Sequence, residues 1–398
     1  MIESIRKRYN AHFSGEQYEN YMKALKNLFP GQLDFRVAET PLFIPKTFTQ
    51  KILDACESII DTISNPSYLE QSKKAIPRQI AGTNSNAYPH CIAFDFGICT
   101  GKNGELEPQL IEMQGFPSLF CWQEIMPAVH KQFFYWPENY QPYLNGFDSK
   151  TYIQLLKEVI LDKEKPENVI LLEIFPEKQK TRVDFHASEN LLGIKTVCLT
   201  KLIREEKEIF YLLHGNKTKV HRIYNRVIVD DLQQQSDEIQ QWGKIFEEDL
   251  DVEWVPHPSW FFKISKYTLP FIDHPYVPKT QFLSEVDALP ADLENYVVKP
   301  LFSFAGQGVI IDVTEKDINE ITDRENWIIQ KKVNYAAIIE TPGEMAKAEI
   351  RIFYFWPPGS SRPVAANNLA RLSKGKMVGV RYNKDKDWVG GTFCLFEQ

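Results

Sequence analysis

Apolar residues recur at helical spacing in the first 65 positions. Ser14 and Gln17 have the spacing of a capping box, in which each side chain satisfies the other's backbone N–H. Tyr18, Tyr21, Met22, Leu25 and Leu28 follow at helical intervals, and Pro30 stops the helix. A second helix is predicted after Pro45: Phe48, Ile52, Ala55, Cys56, Ile59, Ile60 and Ile63 share a face, and Asn65-Pro66 ends it. The pattern changes near residue 90. Cys91–Cys99 and Gln109–Met113 read as the two strands of a hairpin, with Thr100-Gly101-Lys102-Asn103-Gly104 as the turn.

From about Asp148 the chain alternates between helix and strand patterns. Helices are predicted over Tyr152–Leu161 and Arg182–Leu192, the second ended by Gly193. Val169–Phe175 is a near-continuous apolar run, as expected of a strand buried on both faces. Ile194–Leu199, Ile209–Leu213 and Val227–Val229 are further strand candidates, and the polar stretch from Asp230 reads as helix. This block predicts an open sheet with crossover helices. The last third predicts strands at Tyr296–Val298, Val309–Ile311, Trp327–Ile329 and Ile350–Phe355, with a glycine-bearing loop over 301–308. Three units are expected: 1–148 with the N-terminal helices and the hairpin, 149–255 as an α/β unit, and 256–398 rich in strands.

The balance of 46 basic against 53 acidic side chains leaves a net charge of −7. That excludes a wholesale nucleic-acid binder but leaves room for a local basic pocket. Cys56, Cys91, Cys99, Cys121, Cys198 and Cys394 lie far apart with no CxxC pair, so reduced thiols are expected rather than disulfides or a zinc site. No apolar stretch is long enough to span a bilayer and the N-terminus has no signal core, so the expected location is the cytoplasm. Neither a GxGxxG fingerprint nor a Walker sequence is present.

Four groups of residues could carry chemistry. Alternation along a strand puts Glu112 and Gln114 on one face, and Asp95 can join them from the partner strand. Three oxygen-bearing side chains of this kind suit magnesium, with phosphates completing its shell; a solvated acidic hairpin has the same spacing. Lys299-Pro300 precedes Leu301-Phe302-Ser303-Phe304-Ala305-Gly306-Gln307-Gly308, a loop whose backbone N–H groups can fold over phosphates; a plain hairpin with a surface lysine fits equally. Gln330-Lys331-Lys332-Val333 follows a strand and can offer backbone hydrogen bonds and an apolar slot to an adenine ring. Lys266, Arg351, Arg371 and Arg381 are cations that phosphoryl transfer could use, although single arginines ordinarily make surface ion pairs.

Taken together, these segments resemble the ATP-grasp superfamily. Tyr296-Val297-Val298-Lys299-Pro300 resembles its lysine strand, Ser303–Gly308 its phosphate loop and Gln330–Val333 its hinge. Asp95, Glu112 and Gln114 resemble its metal motif, and Ser265-Lys266-Tyr267 the segment that carries a second phosphate lysine. The metal motif precedes the lysine strand, which is the permuted order of eukaryotic glutathione synthetase and glutathionylspermidine synthase-like proteins. Leu369-Ala370-Arg371 and Gly390-Gly391 resemble that family's C-terminal arginine strand and substrate loop. Gln114 stands where the family usually has Asn, and Ser303 where it has a loop carboxylate; Glu349 is a candidate substitute.

The resemblance implies an α+β, circularly permuted ATP-grasp fold with an inserted α/β (pre-ATP-grasp-like) domain. It implies an ATP-dependent ligase joining a small-molecule or peptide carboxylate to an amine, with ATP and Mg2+ bound. Lys266, Lys299, Ser303, Phe304, Ala305, Gly306, Gly308 and Gln330, Lys331, Lys332, Val333 would hold the nucleotide. Asp95, Glu112 and Gln114 would hold the metal. Arg371 and Arg351 would be catalytic, and Arg381, Gly390 and Gly391 would meet substrate. No nucleic-acid or membrane partner is expected. A non-catalytic nucleotide- or ligand-binding protein on the same fold, and a kinase that stops at phosphoryl transfer, are the alternatives.

Overall fold

Five antiparallel strands form the sheet that positions the charged residues. Their order across the sheet is Gly390–Thr392, Val364–Ser373, Lys347–Phe355, Cys91–Thr100 and Leu106–Gln114. The computed structural model describes residues 2–81, 86–303, 307–375, 378, 383 and 385–398. The expected hairpin is present, longer at both strands because its own ladder runs from Ala93 opposite Gln114 to Thr100 opposite Leu106, while Cys91–Gly97 also pairs with Glu349–Phe355.

Side chains alternate across these strands. Phe94, Phe96, Ile350, Ile352, Ala370 and Leu372 enter one core with Ile52, Ile59 and Ile60 of helix Lys46–Ser64. Ala93, Phe353, Phe355 and Leu369 face the other way and pack with Phe120 and Trp122. The sheet is therefore apolar on both faces, and the charged side chains of the second face are confined to one end. The helix around Tyr18–Leu28 spans Gly15–Leu28 and carries the expected capping box of Ser14 and Gln17.

The middle block holds a parallel four-stranded sheet in the order Glu253–Val255, Arg222–Asn225, Val169–Glu173, Lys195–Cys198. Helix Arg182–Leu192 is one of its crossovers, and Gly193 ends that helix in the left-handed region at φ 77°. The helix expected from Tyr152 starts earlier, at Ser149, because Asp148 and Thr151 cap it reciprocally.

Three strand expectations need correction. Val227–Val229 is not a strand: Arg222–Asn225 takes that place, the Asn225 side chain accepts from the Val227 N–H at 3.1 Å and turns the chain, and Val229 opens a short helix. Glu208–Leu213 is a strand but lies in a separate antiparallel sheet with Ile203–Glu205 and Asn216–Val220. Of Val309–Ile311 only Ile310 pairs, by a single bridge to Val298, because the three residues lie half-buried at the sheet's edge.

Lys299 lies on Tyr296–Pro300, which pairs with Trp327–Lys331, itself paired with Thr280–Phe282. A further sheet joins the two ends of the chain: Leu42–Ile44 runs parallel to Cys394–Glu397, which pairs with Tyr140–Gln141. All six cysteines are unpaired, and among the described residues no helix is long and apolar enough to cross a membrane.

Gly115 sets how closely the segment before Lys266 approaches the Glu112 strand. Its N–H donates to the Ile264 carbonyl at 3.0 Å, and a Cβ there would lie 2.7 Å from the Trp260 carbonyl oxygen and 2.9 Å from the Ile264 Cβ. Gly115→Ala is expected to cost about 2 kcal/mol through overpacking, read as a lowered urea midpoint at unchanged slope. An unchanged midpoint would show that the contact is not tight.

Candidate functional site

The register of the five-stranded sheet brings the charged residues together. Asp95 lies opposite Glu112 on one side and Arg351 on the other, while Glu349 lies opposite Arg371. Glu349 and Arg351 are two residues apart on one strand, so all five side chains share a face. Gly97 occupies the same face one pleat along. A Cβ there would sit 2.7 Å from a Tyr335 ring carbon, so the glycine makes room for Tyr335, whose hydroxyl donates to the Glu349 carboxylate.

Asp95 is 2% exposed and is held by two guanidinium groups. Arg351 Nε donates to its Oδ1 and Arg351 Nη2 to its Oδ2, both at 2.5 Å, and Arg371 Nη2 reaches the same Oδ2 at 2.9 Å. Burial alone would favour the protonated acid, but the two arginines outweigh it and hold Asp95 below the ordinary aspartate range. Arg351 Nη1 donates to Ser118 Oγ at 2.9 Å, and its Nη2 lies 3.9 Å from Glu112 Oε1. Arg371 also binds Glu349 Oε2 at 2.8 Å. Burial disfavours its charge, yet Glu349, Asp95 and Glu112 raise its pKa above the usual arginine value.

The lysine-bearing sheet meets this face at Glu112. Lys299 Nζ donates to Gln330 Oε1 at 2.6 Å and reaches across to the Ile111 carbonyl at 3.3 Å. Withdrawal from water lowers its pKa to about 8, nearby Lys266 lowers it too, and Glu112 and Glu349 work in the opposite direction. Lys266 follows Ser265, which caps its turn, and its Nζ donates to the Ser303 carbonyl at 2.7 Å. Glu112, Gln114, Phe116, Phe261, Lys266 and Ser303 line a cleft of about 40 Å³ between the two sheets. That volume admits water, whereas small-molecule pockets span about 300–1,000 Å³, so a nucleotide would need the lining to rearrange. Two buried polar atoms, Ser303 Oγ in this cleft and Arg371 Nε on the charged face, have no hydrogen-bond partner among the described residues.

The other expected positions divide. Gly390 and Gly391 lie beside Arg371 in the sheet, but Gly391 exchanges backbone hydrogen bonds with Arg36 and Ala38, so the pair is clamped into the fold. The N–H groups of Lys331 and Lys332 are committed to the carbonyls of Lys279 and Asn295, and the Gln330 side chain serves Lys299 and Thr280. Of the hinge residues, only Val333 is left uncommitted by these bonds. Gly308 takes φ 70° at the end of the phosphate loop. Phe304, Ala305, Gly306 and Arg381 lie outside the described residues.

The donor set does not present an open magnesium site in this arrangement. Both Asp95 oxygens face guanidinium nitrogens, and the Gln114 amide donates to Glu112 Oε1 at 3.0 Å instead of offering its oxygen beside it. Among the described residues no cluster of His, Cys, Asp or Glu suited to a metal ion is found. Ser118 and Tyr335 could not be picked out from the sequence: Ser118 meets a charge 233 positions away, Tyr335 meets Glu349 across a loop, and neither stands in a recognisable pattern. Arg226, at the end of a parallel strand, donates to the Pro117 carbonyl and so ties the loop bearing Ser118 to the α/β block.

No family model matches the sequence, and no curated protein matches it. Among solved structures, a glutathione synthetase-like effector from Globodera pallida, in its apo form, is similar to this chain with a TM-score of 0.59. The two are 12% identical over 92% of this chain and 96% of that one. The likeness shows the fold alone: a glutathione synthetase-like arrangement of helices and sheets.

Two measurements test this electrostatic picture. Asp95→Ala leaves the buried Arg351 guanidinium and the half-buried Arg371 short of a partner and is expected to destabilise the protein by about 3 kcal/mol in urea unfolding. A loss below 1 kcal/mol would show that the pair is not load-carrying. Lysine 13Cε NMR should show Lys299 titrating near pH 8, and lower still in Glu112→Gln. Because the unfolded chain keeps that proton to about pH 10.5, stability gains a rising contribution with pH between the two values. A Lys299 midpoint above 10 would refute the burial argument.

Proposed function

We propose that the protein is an ATP-dependent carboxylate–amine ligase of the ATP-grasp type. The observation that carries the proposal is the meeting of the lysine sheet with the carboxylate sheet: Lys299 bonds the Ile111 carbonyl, next to Glu112, and Lys266 lies across the same cleft. The glutathione synthetase-like fold supports it. The order along the chain, Glu112 before Lys299, is then the permuted one.

In this reaction the terminal phosphoryl group of ATP passes to a substrate carboxylate. An amine attacks the resulting acyl phosphate, phosphate leaves and an amide forms. Lys266 and Lys299 would hold phosphate oxygens, and Arg371 would steady negative charge on the group in transit. The Ser303 hydroxyl, unpartnered among the described residues, would donate to the same oxygens. The six unpaired thiols fit a reducing, cytoplasmic setting.

A second reading, nucleotide binding without ligation, is favoured by one observation: both oxygens of Asp95 and the N–H groups of Lys331 and Lys332 are already engaged. The two separate experimentally. Calorimetry with ATP should show binding that Lys299→Met and Lys266→Met each weaken by about tenfold or more, the loss of a charge-assisted contact. ADP release and hydroxamate formation with hydroxylamine, over a panel of amino acids, peptides and polyamines, would identify the ligase. ATP binding with no ADP release across the panel selects the second reading, and no ATP binding removes both.

A further inference from the structure

We infer that the Arg351 guanidinium takes the place of a divalent cation between Asp95 and Glu112, so that the site binds the polyphosphate of a nucleotide without a metal ion. The inference rests on the nucleotide reading above and says how the charge of that ligand is met.

The geometry is that of an internal cation in a carboxylate site. Arg351 offers Nε and Nη2 to the two oxygens of Asp95 as a planar fork, and Nη2 also faces Glu112 Oε1. Its remaining nitrogen, Nη1, is fixed by Ser118. The side chain is 12% exposed, so this is no loose surface pair. It rises from the strand next to Asp95, directly opposite it in register, so the backbone itself delivers the positive charge to the carboxylates.

The charge count agrees. Asp95, Glu112 and Glu349 face Arg351, Arg371, Lys266 and Lys299, which is three carboxylates against four basic groups. A magnesium ion would add two further positive charges and would have to strip Asp95 from two guanidinium groups. A polyphosphate meets the opposite situation. It finds Lys266 in the cleft beside Glu112, Lys299 next to the same carboxylate, and Arg371 on the charged face beyond Asp95 and Glu349, with Arg371 Nε lacking a partner among the described residues. Arg351 then neutralises Asp95 and Glu112, which would otherwise repel the phosphates, as a bound metal would.

The test is calorimetry of ATP binding in EDTA and in MgCl2. The wild type is expected to bind with dissociation constants that agree within about threefold in the two buffers. Arg351→Ala is expected to bind at least about tenfold more weakly in EDTA and to recover with magnesium, because Asp95 Oδ1 and Glu112 then lose the guanidinium that occupies them, while Arg371 keeps Asp95 Oδ2. Wild-type binding that is tenfold or more tighter with magnesium overturns the inference and leaves the nucleotide reading standing. Absence of ATP binding in both buffers overturns that reading itself, and the inference with it. If Arg351→Ala does not fold, the wild-type comparison still decides, joined by a Mn2+ titration followed by electron paramagnetic resonance. The free-ion signal should persist with wild-type protein, and a stoichiometric loss that Asp95→Asn abolishes would refute the inference.

Discussion

A buried carboxylate shared by two arginines holds this site together. Asp95 has almost no contact with water, and its charge survives because Arg351 and Arg371 both donate to it. The three residues come from three adjacent strands, so the interaction also fixes the register of Cys91–Thr100, Lys347–Phe355 and Val364–Ser373 on one another. A slip by one residue would turn every one of these charges into the apolar layer and bring Phe94, Ile350 or Ala370 to the charged face. Specific pairing of this kind costs desolvation and returns uniqueness of register, which is a role that buried ion pairs serve well.

From that anchor the rest of the cleft follows. Glu112 is the carboxylate least occupied by arginine, 3.9 Å from Arg351, and it is the one that faces the lysines. Lys299 stands close to it but far enough from water that its charge is only weakly favoured near neutral pH. A lysine in that condition responds strongly to any anion placed beside it, since the anion restores the charge that burial opposes. Lys266 is tied to the neighbouring segment, its ammonium bonded to the Ser303 carbonyl.

A shared fold is a weak guide to chemistry, and the similar solved chain is described as an effector. What distinguishes this protein lies in its own side chains. Clamped glycines at 390–391 and engaged amides at 331–332 narrow the places where a substrate or a base could be gripped. Orphaned atoms at Ser303 and Arg371 mark where a ligand would gain most, since a buried polar group without a partner is costly until it finds one. These local facts, more than the architecture, direct attention to phosphate oxygens.

Much of the architecture was legible along the chain. The Ser14–Gln17 capping box, the apolar face of helix Lys46–Ser64, the acidic hairpin and the strand bearing Lys299 all come from patterns a few residues long, and local backbone physics enforces such patterns wherever they occur. Arg222–Asn225 was not legible, because its charged and polar residues mask a buried strand whose arginine finds Glu253 and two backbone carbonyls only after folding. Likewise the face shared by Asp95, Glu112 and Gln114 could be read from alternation, but not that Arg351, 256 positions later, would fill it. Local pattern decides which side of a strand a charge occupies. Only the closure of distant strands into one sheet decides which opposite charge stands across from it, and here that decision determines whether the acidic face can receive a metal ion.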